Sequence, residues 1–303
     1  MTAGIKVGPA NWKAIFSDYY PRVCEVWFRV DWLERYLKLF LYLQRKNIQA
    51  GLHFWGMLPG GIMPNFAFPD PDVREPSLVL VKQTIDAASE FGLTYVNIHP
   101  GSYRLSTVNL NRLFMRPVPG RETSSREGEA VLRENISVLH EYAKKRGVIL
   151  LVETLPAKEP MHWRDLAKGR MRTQDMKNVP VAAVEMLAEN GAWITNDLCH
   201  TAMDIVSDDR THLFAKLLEK TKRLAKQTRL IHANTMLPPF NGTDGHLGIL
   251  DEDFKSGVFP SREQLVHLLS VFAHRDDIWV IPEPFSKNAE NTLALEKLLD
   301  VVK

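Results

Sequence analysis

Cysteine is nearly absent from this 303-residue chain, which holds Cys24 and Cys199 alone. Two thiols without Cys-x-x-Cys spacing cannot form a disulfide framework, a zinc finger or a dithiol redox centre, so a reducing compartment is expected. Charge of one sign is lacking too. The 38 Lys and Arg stand against 36 Asp and Glu, and a net charge of +2 is too balanced for a general nucleic-acid coat. No run approaches the ~18 apolar residues of a membrane span, and the first residues show no apolar stretch followed by a small-residue cleavage site. A cytoplasmic chain with no membrane association is the expectation, and nothing in the sequence calls for a protein partner. Gly and Pro, at 17 and 18, are too few for a low-complexity or collagen-like chain.

What is present is an alternation. Short apolar runs rich in Val and Ile recur between longer segments of helical period, the pattern of βα units around a parallel sheet. Eight runs are found: 5–8, 23–30, 48–54, 95–99, 148–153, 193–197, 230–234 and 278–283. Helices are predicted over 32–44, 77–91, 126–146, 180–190, 208–226, 261–273 and 288–302. Ser77, Asp208 and Ser261 are placed to cap three of them, and Pro180 to open a first turn where its missing N–H costs nothing. Eight strands predict a (β/α)₈ barrel, a fold of ~250 residues, with the remainder in long loops at its C-terminal face. One domain, 1–303, is expected. An open doubly wound sheet is the competing fold, but Gly8-Pro9-Ala10-Asn11 is not its glycine-rich fingerprint.

Histidines and acids fall at the strand ends. His53, His99, Glu153, Asp197 and Glu283 close their runs, and His232 lies in the seventh. Barrel enzymes place catalysis at the one mouth these ends face, so the six side chains are expected to converge. Packed carboxylates and imidazoles need a cation, and this ligand set suits zinc, manganese or iron. His200, three residues after Asp197, and Asp244 with His246, one residue apart, extend the set to nine. Nine ligands with one bridging carboxylate would suit two or three ions, as in multi-metal phosphodiester hydrolysis.

The runs Asn97-Ile98-His99-Pro100-Gly101-Ser102, Asn196-Asp197-Leu198-Cys199-His200, His232-Ala233-Asn234, Asp244-Gly245-His246-Leu247-Gly248 and Pro282-Glu283-Pro284 carry a family signal. Over roughly residues 48–285 the chain resembles the endonuclease IV family (AP endonuclease family 2) of the xylose-isomerase-like TIM barrels. The resemblance implies that His53, His99 and Glu153 hold one zinc. It makes Glu153 bridge to a second held by Asp197, His232 and Glu283, and gives a third to His200, Asp244 and His246. It also implies hydrolysis of a phosphodiester in DNA at an abasic or damaged site, with Glu153 and Glu283 in catalytic positions.

Three segments depart from that family. His53 is followed by Phe54-Trp55-Gly56, with apolar wedges but no tyrosine; Thr235 follows Asn234 where an Asp is usual; and residues 155–179 replace a short turn. Two long loops nevertheless lean basic, so Trp55 with Arg104, Arg116, Arg170 and Arg172 are the expected substrate contacts. The second reading is a metal-dependent isomerase or epimerase acting on a small sugar or sugar phosphate. There Glu153 and Glu283 exchange a proton at the carbon beside a carbonyl while one ion polarises the oxygens. His140, His162, His212, His267 and His274 are read as structural or surface residues.

Overall fold

The protein is described by a computed structural model covering residues 1–109, 112, 114–162 and 172–302. Eight parallel strands close into a barrel in sequence order. They are β1 (Thr2–Val7), β2 (Val23–Arg29), β3 (Gln49–Trp55), β4 (Tyr95–Ile98), β5 (Ile149–Glu153), β6 (Trp193–Asp197), β7 (Thr228–His232) and β8 (Trp279–Ile281), with β1 pairing both β2 and β8. The strands are short and mostly buried because each is covered on one side by helices and on the other by the barrel's own interior.

The helices outside the barrel include four whose starts show how the local sequence acts. Asp70 caps the helix Pro71–Glu90 by accepting from Asp72 N at 2.9 Å, and Pro71 sits in its first turn. Ser77 is therefore not the cap expected of it. It lies six residues inside this helix, where its hydroxyl donates to Val73 O at 2.6 Å. Pro76 caused the misplacement: a proline is usually a helix boundary, but here it falls early enough to be carried within the helix. The cap of Arg210–Leu224 is Asp209, one residue beyond Asp208, and Pro180 is the N-cap of Val181–Glu189, one position before the expected first turn. Ser261 caps Arg262–Ser270 as expected, with Gln264 answering its backbone N–H in a capping box.

Three loops roof the mouth at the C-terminal ends of the strands. Residues 104–109 and 114–122, expected to be irregular, form an antiparallel hairpin, and 159–160 pair with 173–174. Period-2 alternation then decides what faces inward. Below the mouth the interior is apolar, with Tyr95, Leu151, Leu230 and Ile281 in contact. Gly51 is needed there, since a Cβ would stand 2.1 Å from the Tyr95 ring. One step up every strand the interior turns polar. Lys6 pairs in register with Glu25, His53 with Asn97, Thr195 with Glu153 and Asp197 with His232, all of them buried.

Candidate metal centre

The mouth opens into a cavity of about 600 Å³ whose floor includes His53, Glu153, Glu283, His200, Asp244 and His246. All nine residues singled out from the sequence meet there or directly beneath, and they do so in three neighbouring groups. In the first, His53 Nε2 lies 3.3 Å from His99 Nε2 and 3.7 Å from Glu153 Oε2. In the second, His232 Nδ1 is 3.1 Å from Glu153 Oε1, 3.6 Å from Asp197 Oδ2 and 3.5 Å from Glu283 Oε2. The two groups share Glu153, one oxygen each. In the third, Asp244 Oδ1 sits 3.2 Å from His200 Nε2 and 2.9 Å from His246 Nε2.

These spacings fit divalent ions, and two observations test the fit. His200 Nδ1 lies 2.8 Å from the Thr154 carbonyl, so a hydrogen points there and Nε2 is the nitrogen turned toward Asp244. His232 Nε2 likewise lies 2.9 Å from Glu25 Oε2, leaving Nδ1 toward the acids, the carboxylate–histidine arrangement that orients metal ligands. Moreover, Asp244 Oδ1 is buried and accepts no hydrogen bond among the described residues. A cation among these atoms would supply what the chain does not.

The electrostatics follow from burial and neighbours. Burial disfavours the Glu153 carboxylate, yet the His232 imidazolium, with a hydrogen bond from His200, overcomes it and holds the group well below the usual range. Burial and the Lys6 ammonium push His53 down to about 3, and burial takes His99 to about 4, so both rings are neutral. For His232 burial is outweighed by Glu153 and Glu25, which raise it to about 10. The positive charge the acids call for is therefore carried by imidazolium in the absence of an ion, and ion uptake would displace it.

Two site residues escaped the strand-end reading. Lys6 and Glu25 are 2% and 0% exposed, with Lys6 Nζ 2.7 Å from Glu25 Oε2, and both lie inside apolar runs rather than at their ends. Charge within such a run, Lys6 in the first and Glu25 with Arg29 in the second, was the available signal. Glu159, from the loop after β5, also lines the cavity; burial and the nearby Asp244 raise it to about 7. Asn97 donates to Glu153 Oε2 at 2.5 Å, and Asn234 donates to Asp197 Oδ2 at 3.2 Å while accepting from Glu283 N at 2.6 Å. These amides fix the carboxylates in place.

The expected substrate contacts divide. Trp55 lines the cavity, and its ring centre lies 6.3 Å from that of His99. Arg104 does not line it, because its guanidinium is tied to Glu122 at 2.6 Å and to the Asp175 carbonyl at 2.7 Å across the hairpin. Arg116 and Arg172 are exposed outside the cavity, and Arg170 falls outside the described residues. Among the described lining residues the arginine is Arg29, stacked 4.0 Å from the Trp32 ring.

The chain belongs to the xylose isomerase-like TIM barrel family, whose model matches residues 18–303. No curated protein matches it in sequence. Among solved structures, it is similar to a D-tagatose 3-epimerase-like protein, with 15% identity and a TM-score of 0.66 over 100% of this chain and 98% of that one. It is similar as well to endonuclease IV from Thermus thermophilus, with 13% identity and a TM-score of 0.54 over 100% and 98%. A third, the 3-keto-D-glucoside 4-epimerase YcjR from E. coli, shares 14% identity at a TM-score of 0.57 over 98% of each chain. At such identities the likeness concerns the fold alone. No helix among the described residues is long and apolar enough to cross a membrane.

Proposed function

We propose that the protein is a metal-dependent phosphodiesterase acting through two or three divalent ions, zinc first among them. The observation that carries this is the sharing of Glu153 between two groups of ligands with a third group alongside. Ions so placed lower the pKa of water and neutralise charge on phosphoryl oxygens. His53, His99 and Glu153 would hold one, Glu153 with Asp197, His232 and Glu283 a second, and His200, Asp244 and His246 a third. Asn97 and Asn234 keep the carboxylates from rotating, and Ser106 and Met115 of the hairpin with Leu155 and Glu159 line the side of the cavity. Trp55 offers a face on which one sugar or base could stack. A cavity of about 600 Å³ takes a single extruded nucleotide but no duplex, so a DNA substrate would have to flip its abasic residue inward. Zinc-loaded protein should nick duplex DNA at an abasic site and lose that activity on chelation. Intact abasic duplex after incubation with loaded protein would defeat this reading.

The cavity, lined by Trp27, Trp32 and Trp55, also favours a second reading, isomerisation or epimerisation of a small sugar or sugar phosphate. There the Glu153, Asp197, His232 and Glu283 group suffices for one ion, and Glu153 and Glu283 move the proton. Solvent deuterium should then enter a ketose, which NMR would detect; no exchange across a panel of sugars and their phosphates counts against it.

A further inference from the structure

Among the described residues Lys6 is the one lysine buried in the mouth, and its ammonium is fully engaged by three acceptors. Nζ lies 2.7 Å from Glu25 Oε2, touches Glu283 Oε1 and lies 2.5 Å from His53 Nδ1, while the Trp27 ring covers it at 3.9 Å. An ammonium has three N–H groups and no lone pair, so these partners saturate it. Glu25, His53, His232 and Glu283 also stand close enough together to hold an ion, so Lys6 sits where a cation is called for.

The contact with His53 has a consequence for the neighbouring group. A neutral imidazole carries one hydrogen and one lone pair on its two nitrogens. With Lys6 donating to Nδ1, the hydrogen resides on Nε2, the atom that faces His99 Nε2 at 3.3 Å and Glu153 Oε2 at 3.7 Å. His53 therefore has no lone pair to give an ion on that side while Lys6 is in place. The other two groups are free of this conflict, because His232 and His200 turn their hydrogens to Glu25 and to the Thr154 carbonyl.

We propose that Lys6 is a built-in cation that competes with a divalent ion for His53, which makes the His53, His99 and Glu153 group the weak site of the centre. The groups around His232 and His200 are then the tight ones. This inference rests on the reading of the mouth residues as ion ligands, and its test separates the two. Zinc bound per chain is measured by equilibrium dialysis and elemental analysis on the wild type and on Lys6→Met. The wild type should hold its last ion weakly, and Lys6→Met should bind that ion at least about tenfold more tightly, the scale at which residues behind a ligand tune affinity. An unchanged number and affinity in Lys6→Met, beside a zinc-loaded wild type, overturns the inference alone. A wild type that takes up no zinc overturns the multi-ion reading with it. Anomalous diffraction from wild-type crystals in excess zinc decides the matter even if Lys6→Met does not fold. No ion at His53 Nε2, or an ion there with Lys6 swung away, supports the competition; an ion there with Lys6 still against Nδ1 overturns it.

Discussion

The two sides of the mouth meet the same electrostatic problem differently. On the side of β1, β2 and β8, Glu25 and Glu283 are answered by Lys6, a cation the chain carries itself. On the side of β6 and the loop after β7, Asp197 and Asp244 face imidazoles, and Asp244 Oδ1 is left without a donor among the described residues. An ammonium on a tether is permanent, while an ion in a ring of imidazoles and carboxylates can exchange and present open coordination positions. The contrast teaches where exchangeable ions belong: on the side the chain leaves incomplete.

The largest expected effect tests Glu153, which joins the two sides. Glu153→Gln should lower phosphodiester hydrolysis by about a thousandfold, the scale of losing a group that positions a proton and two ligand sets; initial rates within about tenfold of wild type would break the comparison. Next comes chelation. If the His200 side is completed by ions, their removal should cost about 3 kcal/mol at a loading of about a hundred times Kd, lowering Tm by roughly 5 °C. Calorimetry before and after dialysis against a chelator measures it.

In chelated protein the two sides should respond unequally to loss of one acid. Glu25→Gln removes the counter-charge of both Lys6 and His232 and should destabilise by about 3 kcal/mol. Asp244→Asn removes the charge that faces His246 and His200, rings that an ion does not have to share with a tethered cation, and should cost about 1 kcal/mol. Urea midpoints compare them, and equal losses would erase the distinction.

A pH series sharpens the same point. His232, raised to about 10, contributes stability that is fully present below its unfolded pKa near 6.5 and is lost as pH rises toward 10. His53 and His99, lowered to about 3 and 4, contribute stability present above pH 6.5 and lost as pH falls toward those values. Metal-free protein should thus be most resistant to urea near pH 6.5, and His232→Asn should flatten the alkaline limb. The smallest effect is expected outside the mouth: Arg104→Ala breaks an exposed pair with Glu122 and should leave the urea midpoint unchanged within error.

Much of this was legible in one dimension. Strand period and the acids and histidines at run ends were enough for the barrel and for nine residues that the fold brings together, because alternation and barrel closure leave the strand ends one mouth to face. Boundaries were less secure. Pro76 reads as a helix limit and is internal, and the helix Trp12–Asp18 has no counterpart in the sequence reading because seven residues carry too little periodicity. Arg104 illustrates the converse, since a basic loop in sequence proved to be a hairpin in which Glu122 lies across from Arg104.

The sequence by itself determined the βα alternation and the chemical character of the mouth, since both rest on residue type and spacing along the chain. Tertiary structure alone decided that β1 and β2 close the ring beside β8, and so that Lys6 reaches Glu25, Glu283 and His53 at once. Lys6 and Glu283 are 277 residues apart in the chain. No local pattern encodes that meeting, because it is the closure of the barrel that makes neighbours of its two ends.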